Sequence, residues 1–116
     1  MLIFLHNRRC SKSREALELL EKSGKKYVMR EYLKNPLDIE ELQDLQEKLG
    51  NIPVIEFTRT KESEFLEQGL HKNSTDWEIM KKMQAFPKLM ERPILYNKTK
   101  AVICRPPEKI LELLKK

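Results

Sequence analysis

Short, dense apolar runs alternate along this chain with longer stretches in which apolar residues recur every three or four positions. Residues 2–5, LIFL, form a continuous apolar run that predicts a buried strand. Residues 6–10 are polar. From Ser11 to Ser23, Ala16, Leu17, Leu19 and Leu20 make one apolar helical face, and Gly24 is a natural stop. Residues 26–33, KYVMREYL, have strand character. Strand, helix and strand within about thirty residues is the size of a βαβ unit. Asn35-Pro36 then breaks the pattern. DIEELQDLQEKLG predicts a helix, with Asp38 and Glu41 fitting a capping box and Ile39, Leu42, Leu45 and Leu49 forming its stripe. Residues 51–73 are less regular, with a short helix expected over 61–68. TDWEIMKKMQAF predicts a further helix: Thr75 and Glu78 fit a second capping box, Trp77, Met80 and Met83 share the core face, and Pro87 closes it. PILY and AVIC are two short strands joined by NKTK, a hairpin by length and turn chemistry. PPEKILELLKK is a final helix, entered through Pro106 and Pro107 and buried along Ile110, Leu111 and Leu114.

The order is β-α-β, then helices, then β-β-α. Without the central helices this is βαβ-ββα, the thioredoxin or glutaredoxin layout. The fold class expected is therefore α/β, with a mixed four-stranded sheet whose first two strands are parallel and last two antiparallel. Residues 1–116 read as a single thioredoxin-like domain, with a helical insertion over 36–90. In that layout the start of the third strand lies beside the loop at 6–10, and Arg92-Pro93 is where a cis-proline is expected.

Composition narrows the function classes. A length of 116 residues suits one core. No apolar run approaches the roughly 20 residues of a membrane helix. The start, MLIFLHNRR, places apolar residues before positive ones, the reverse of a secretory signal. A cytoplasmic protein with no membrane partner is expected. The net charge of +5 favours an anionic ligand. Lysine pairs at 25–26, 81–82 and 115–116 are too short for a nucleic-acid arm, so no nucleic-acid partner is expected. Two distant cysteines, two histidines and no C-x-x-C argue against a disulfide scaffold and against a metal site.

Cys10 carries the chemistry. It stands at the mouth of the first helix, where unpaired N–H groups and a partial positive charge favour a thiolate. Arg8 and Arg9 precede it, His6 lies four residues back, and Ser11 and Ser13 can donate hydroxyls. The alternative is a packed core cysteine with solvated arginines around it. Cys104, at the end of AVIC, reads as a packed strand residue, and His71 as a loop residue. Arg59 in FTRTKE, Arg92 in ERPIL and Arg105 in CRPPE each stand at an element boundary. A guanidinium is a planar fork matched to an oxyanion such as phosphate or arsenate. Three forks around one thiolate would make an oxyanion site.

HNRRCSKSREALELL, YLKNP, RTKE, ERPIL and ICRPPEKILELL together resemble the glutaredoxin-coupled arsenate reductase family, from residue 2 to residue 114. The resemblance implies that Cys10 is the catalytic nucleophile and that Arg59, Arg92 and Arg105 bind the oxyanion. His6 and Ser13 match positions that tune the thiol. Arg8 stands where the family usually has proline after His-Asn. The partners implied are arsenate, glutathione as co-substrate and glutaredoxin, with no bound cofactor and a monomeric chain. One cysteine cannot complete a two-electron reduction through an internal disulfide, so an outside thiol must attack. Two rival readings share the fold. Spx-type RNA-polymerase-binding regulators use a C-x-x-C switch, where this chain has C-S-K-S. A general glutathione-dependent thiol reductase would use the same thiolate without arsenate.

Overall fold

In the computed structural model, which describes residues 2–114, the N-terminal apolar run becomes the strand from which the sheet is built. β1 (Leu2–Leu5) pairs in parallel with β2 (Tyr27–Arg30) and antiparallel with β3 (Ile94–Tyr96). β3 in turn pairs antiparallel with β4 (Ala101–Ile103), giving the order β2-β1-β3-β4. This is the mixed four-stranded sheet expected. Phe4 and Leu5 are both fully buried on opposite faces of β1. That explains why β1 is apolar throughout rather than alternating: a central strand covered on both sides has no wet face. β2 is shorter than the expected 26–33. It is an edge strand, and Val28 is 50% exposed.

α1 (Ser11–Lys22) makes the crossover from β1 to β2 and buries Ala16 and Leu20 on one face of the sheet. α5 (Leu111–Leu114), entered through a 3-10 turn at Pro107–Ile110, packs on the same face through Ile110 and Leu114. Leu111 is 39% exposed, contrary to expectation. Ile110 and Leu114, four residues apart, define the buried seam, and Leu111 is turned out of it. Lys115 and Lys116, at the end of the expected last helix, lie outside the described residues.

The chain between β2 and β3 covers the other face. It holds α2 (Ile39–Lys48), α3 (Ser63–Glu67) and α4 (Asp76–Ala85), with 3-10 turns at Val54–Phe57 and Pro87–Leu89. Both predicted capping boxes form. Asp38 Oδ1 accepts the Glu41 N–H at 2.8 Å, and Thr75 Oγ1 accepts the Glu78 N–H at 3.2 Å. The glycine stop after α1 also holds: Gly24 takes a φ of 72°, the left-handed conformation that ends many helices. The core face of α4 is Ile79, Met80 and Met83. Trp77, expected on that face, is 54% exposed instead. It lies in the first turn, where α4 opens onto a groove shared with Gln68, Leu70 and Phe86. Among the described residues, no helix is long and apolar enough to cross a membrane.

Candidate active site

The end of β1 runs straight into the loop that presents Cys10. The Cys10 N–H donates to Asn7 O at 3.1 Å, and the Arg9 N–H donates to Asn7 Oδ1 at 3.0 Å, which winds residues 7–10 into a tight turn. Cys10 is the N-cap of α1, in extended conformation, and no side chain among the described residues caps this helix. The first-turn N–H groups are therefore left to face the sulfur or a bound anion, on the positive end of the helix dipole.

Two predicted residues, His6 and Ser13, pin this loop from beneath. Ser13 is fully buried; its Oγ lies 2.7 Å from His6 Nδ1 and accepts the Asn7 N–H at 3.1 Å. His6 stacks on Phe4, with ring centroids 5.5 Å apart. Burial holds the imidazole below its ordinary value, and Arg8 and Arg14 push the same way against Glu31. At neutral pH His6 is thus an uncharged ring hydrogen-bonded to Ser13, and any influence on the sulfur runs through loop geometry rather than through an imidazolium charge.

Arg8 and Arg9 turn outward. Arg8 is exposed and pairs with Glu31 at 3.0 Å, a screened surface contact of little energetic weight. Both line an outer groove with Glu31, Leu33 and Lys34.

The three separate arginines are brought together, and the backbone shows how. β3 starts opposite the end of β1, with Ile94 registered on Leu5, so Arg92 sits at the end of the central strands from which the Cys10 loop emerges. The Arg92-Pro93 peptide is cis, as expected. The Cys104 N–H donates to Pro93 O at 2.8 Å, which brings Arg105 alongside. Arg105 Nη1 donates to Arg92 O at 3.4 Å. Thr58 bridges Met90, the Arg59 N–H donates to Leu89 O at 2.7 Å, and the Glu91 N–H donates to Phe57 O at 2.8 Å. Arg59, Arg92 and Arg105 consequently line one open cleft of about 360 Å³, with Thr58, Thr60, Lys61, Glu62 and Glu91. Arg59 pairs with Glu62 at 3.1 Å, and Arg92 with Glu91 at 3.4 Å. Arg92 Nε is buried and, among the described residues, has no hydrogen-bond partner. A buried guanidinium N–H without an acceptor is costly unless a ligand supplies one.

Tyr32 begins the YLKNP segment, but nothing in the sequence around it signals a place at the site. It is buried just beyond β2, and its phenol lies within electrostatic reach of Arg92, Arg59 and Cys10 together. Burial pushes the phenol up to about 12, the two arginines and Asn7 pulling against it. It is therefore a neutral phenol, within electrostatic reach of both the arginine cleft and the cysteine loop. Nor does the sequence single out the cleft carboxylates Glu62 and Glu91; both lie inside quoted motifs, RTKE and ERPIL.

The two thiols are differently placed. Cys104 is fully buried among Phe4, Leu95 and Ile110, and burial pushes it up to about 12. It is an inert packing residue. Cys10 is 9% exposed, at the open end of its helix.

The chain is similar along its length to several known proteins. An arsenate reductase of Haemophilus influenzae is 40% identical over 116 residues, covering 97% of this chain and 98% of that protein. One from Neisseria meningitidis serogroup A is 39% identical over 110 residues, 94% of each chain. The solved structure of an arsenate reductase from Vibrio cholerae superposes with a TM-score of 0.90 at 38% identity, covering 96% of this chain and 95% of that one. The ArsC family matches residues 5–113, a span that runs from β1 into α5 and includes Cys10, Arg59, Arg92 and Arg105. This chain belongs to the ArsC family.

Proposed function

We propose that this chain is an arsenate reductase in which Cys10 is the nucleophile, Arg59, Arg92 and Arg105 bind the oxyanion, and glutathione with glutaredoxin supplies the electrons. The observation that carries the reading is the arginine cleft. Three guanidinium groups from three separate segments meet there, and one of them keeps a buried N–H with no acceptor among the described residues. The full-length likeness to arsenate reductases supports the choice of oxyanion.

The chemistry follows from those parts. The Cys10 thiolate attacks arsenic(V), an As–S bond forms, and one arsenate oxygen leaves as water after taking up two protons. The arginines neutralise charge as it shifts in the transition state. A glutathione thiol then forms a disulfide with Cys10. The As–S electron pair stays on arsenic, which leaves as arsenite. A glutaredoxin thiol attacks the mixed disulfide and regenerates Cys10. Two thiols are oxidised for each arsenic reduced, so no bound cofactor is required. Such a cycle belongs in the cytoplasm, where thiols are kept reduced.

The test is arsenate-dependent thiol oxidation by the purified chain, with glutathione and glutaredoxin or with thioredoxin as donor. Turnover with the first pair and little with the second is the expected result. Disulfide reduction that proceeds equally without arsenate would replace this reading with that of a general thiol reductase.

A further inference from the structure

Glu91 stands where a competing anion is least expected. Its Oε1 lies 3.4 Å from Arg92 Nη1 and 3.8 Å from Arg105 Nε, and it accepts the Arg92 backbone N–H at 3.3 Å. One carboxylate oxygen is thus held between two of the three guanidinium groups of the cleft. Glu62 differs: among the described residues it pairs with Arg59, three residues before it, and not with Arg92 or Arg105.

We propose that Glu91 selects the oxyanion by its protonation, admitting hydrogen-bearing tetrahedral anions and rejecting those without a proton. The inference rests on reading the arginine cleft as an oxyanion site. A carboxylate only accepts hydrogen bonds. An arsenate or phosphate that retains an O–H near neutral pH can donate that proton to Glu91 Oε1 while its other oxygens accept from the Arg92 and Arg105 guanidinium groups that flank this carboxylate. Sulfate has the same shape but carries no proton at neutral pH. Its oxygens would meet Glu91 acceptor to acceptor, anion to anion. Specificity of this kind often uses a repulsive element, and Glu91 is one placed between two of the attractive groups. The net charge of the lining remains favourable to an anion: Arg59, Lys61, Arg92 and Arg105 face Glu62 and Glu91.

The experiment is titration of the protein with inorganic phosphate and with sulfate at pH 7, followed through the side-chain Nε–Hε signals of the arginines. Wild type should bind phosphate at least about tenfold more tightly than sulfate, since a site that hydrogen-bonds a ligand proton discriminates strongly against an analogue lacking it. In Glu91→Gln the ratio should collapse towards one, chiefly because sulfate gains, as the amide can donate where the carboxylate could not. Glu91→Ala provides a second variant and should also gain sulfate affinity. An unchanged ratio in both variants, no preference in wild type, or no arginine shifts with either anion would overturn the proposal. Arsenate turnover of wild type is measured separately. Loss of that reaction with the phosphate-to-sulfate ratio intact would remove the proposed function and leave the selectivity assignment standing.

Discussion

His6 Nδ1 lies 2.7 Å from Ser13 Oγ, a hydrogen bond between two buried side chains that ties the end of β1 to the first turn of α1. Every residue of the cysteine loop lies between these two anchors. The Asn7 N–H completes the link by donating to the same serine oxygen. The sulfur of Cys10 is thereby placed by a neutral, dry contact rather than by surface charges.

That contact has a pH signature. The folded protein holds His6 below its ordinary value of 6.5. The unfolded chain therefore takes up the proton first, and stability falls as pH drops through 6.5 and below. Denaturant unfolding between pH 5 and pH 7 should show stability rising with pH, and His6→Gln should flatten that slope. An equal slope in both proteins would mean that another group dominates the window.

The contrast between the two thiols gives a second prediction. Cys10→Ser should abolish arsenate reduction, whereas Cys104→Ser should retain most of it, because the Cys104 thiol is buried and pushed up to about 12. Initial rates of both variants decide the matter. Comparable losses would indicate an intramolecular disulfide.

For the arginines, removing one fork by substitution with alanine should cost about 2–4 kcal/mol of transition-state stabilisation, by analogy with the loss of an oxyanion-hole donor. That is roughly a thirtyfold to thousandfold fall in kcat/KM. Arg92→Lys should recover only part of it, since an ammonium lacks the planar fork. Alkylation of Cys10 by neutral iodoacetamide should change far less, and a parallel loss there would assign the arginines to the thiol instead of the oxyanion.

Tyr32→Phe removes one hydroxyl and keeps the ring in the core. We expect a stability loss of about 1 kcal/mol, the usual worth of one hydrogen bond. A fall of about tenfold in kcat/KM should accompany it, because the hydroxyl within reach of both the cleft arginines and Cys10 is gone. Full activity in a variant that folds normally would make the phenol purely structural.

The sheet, the crossover helix and both capping boxes were legible in the sequence because each rests on local spacing: apolar runs, periodic stripes, and Asp38/Glu41 or Thr75/Glu78 three apart. Trp77 and Leu111 were misplaced because periodicity reports a helix face but not where its packing partner ends. Arg59, Arg92 and Arg105 could be named from motifs, yet their meeting depends on pairings such as Arg59 with Leu89 and Cys104 with Pro93, which join residues 11 to 30 positions apart. Tyr32 looked like one more apolar strand position. Only the folded structure shows it buried within reach of Arg92, Arg59 and Cys10.

The central claim is that arsenate is reduced through a covalent cycle on Cys10. The most direct measurement is intact-protein mass spectrometry with peptide mapping, after incubation with arsenate and glutathione but without glutaredoxin. The account predicts that one glutathionyl group per chain accumulates on Cys10, that it appears only when arsenate is present, and that added glutaredoxin removes it. Arsenite formation with Cys10 unmodified throughout, or a disulfide joining Cys10 to Cys104, would contradict it.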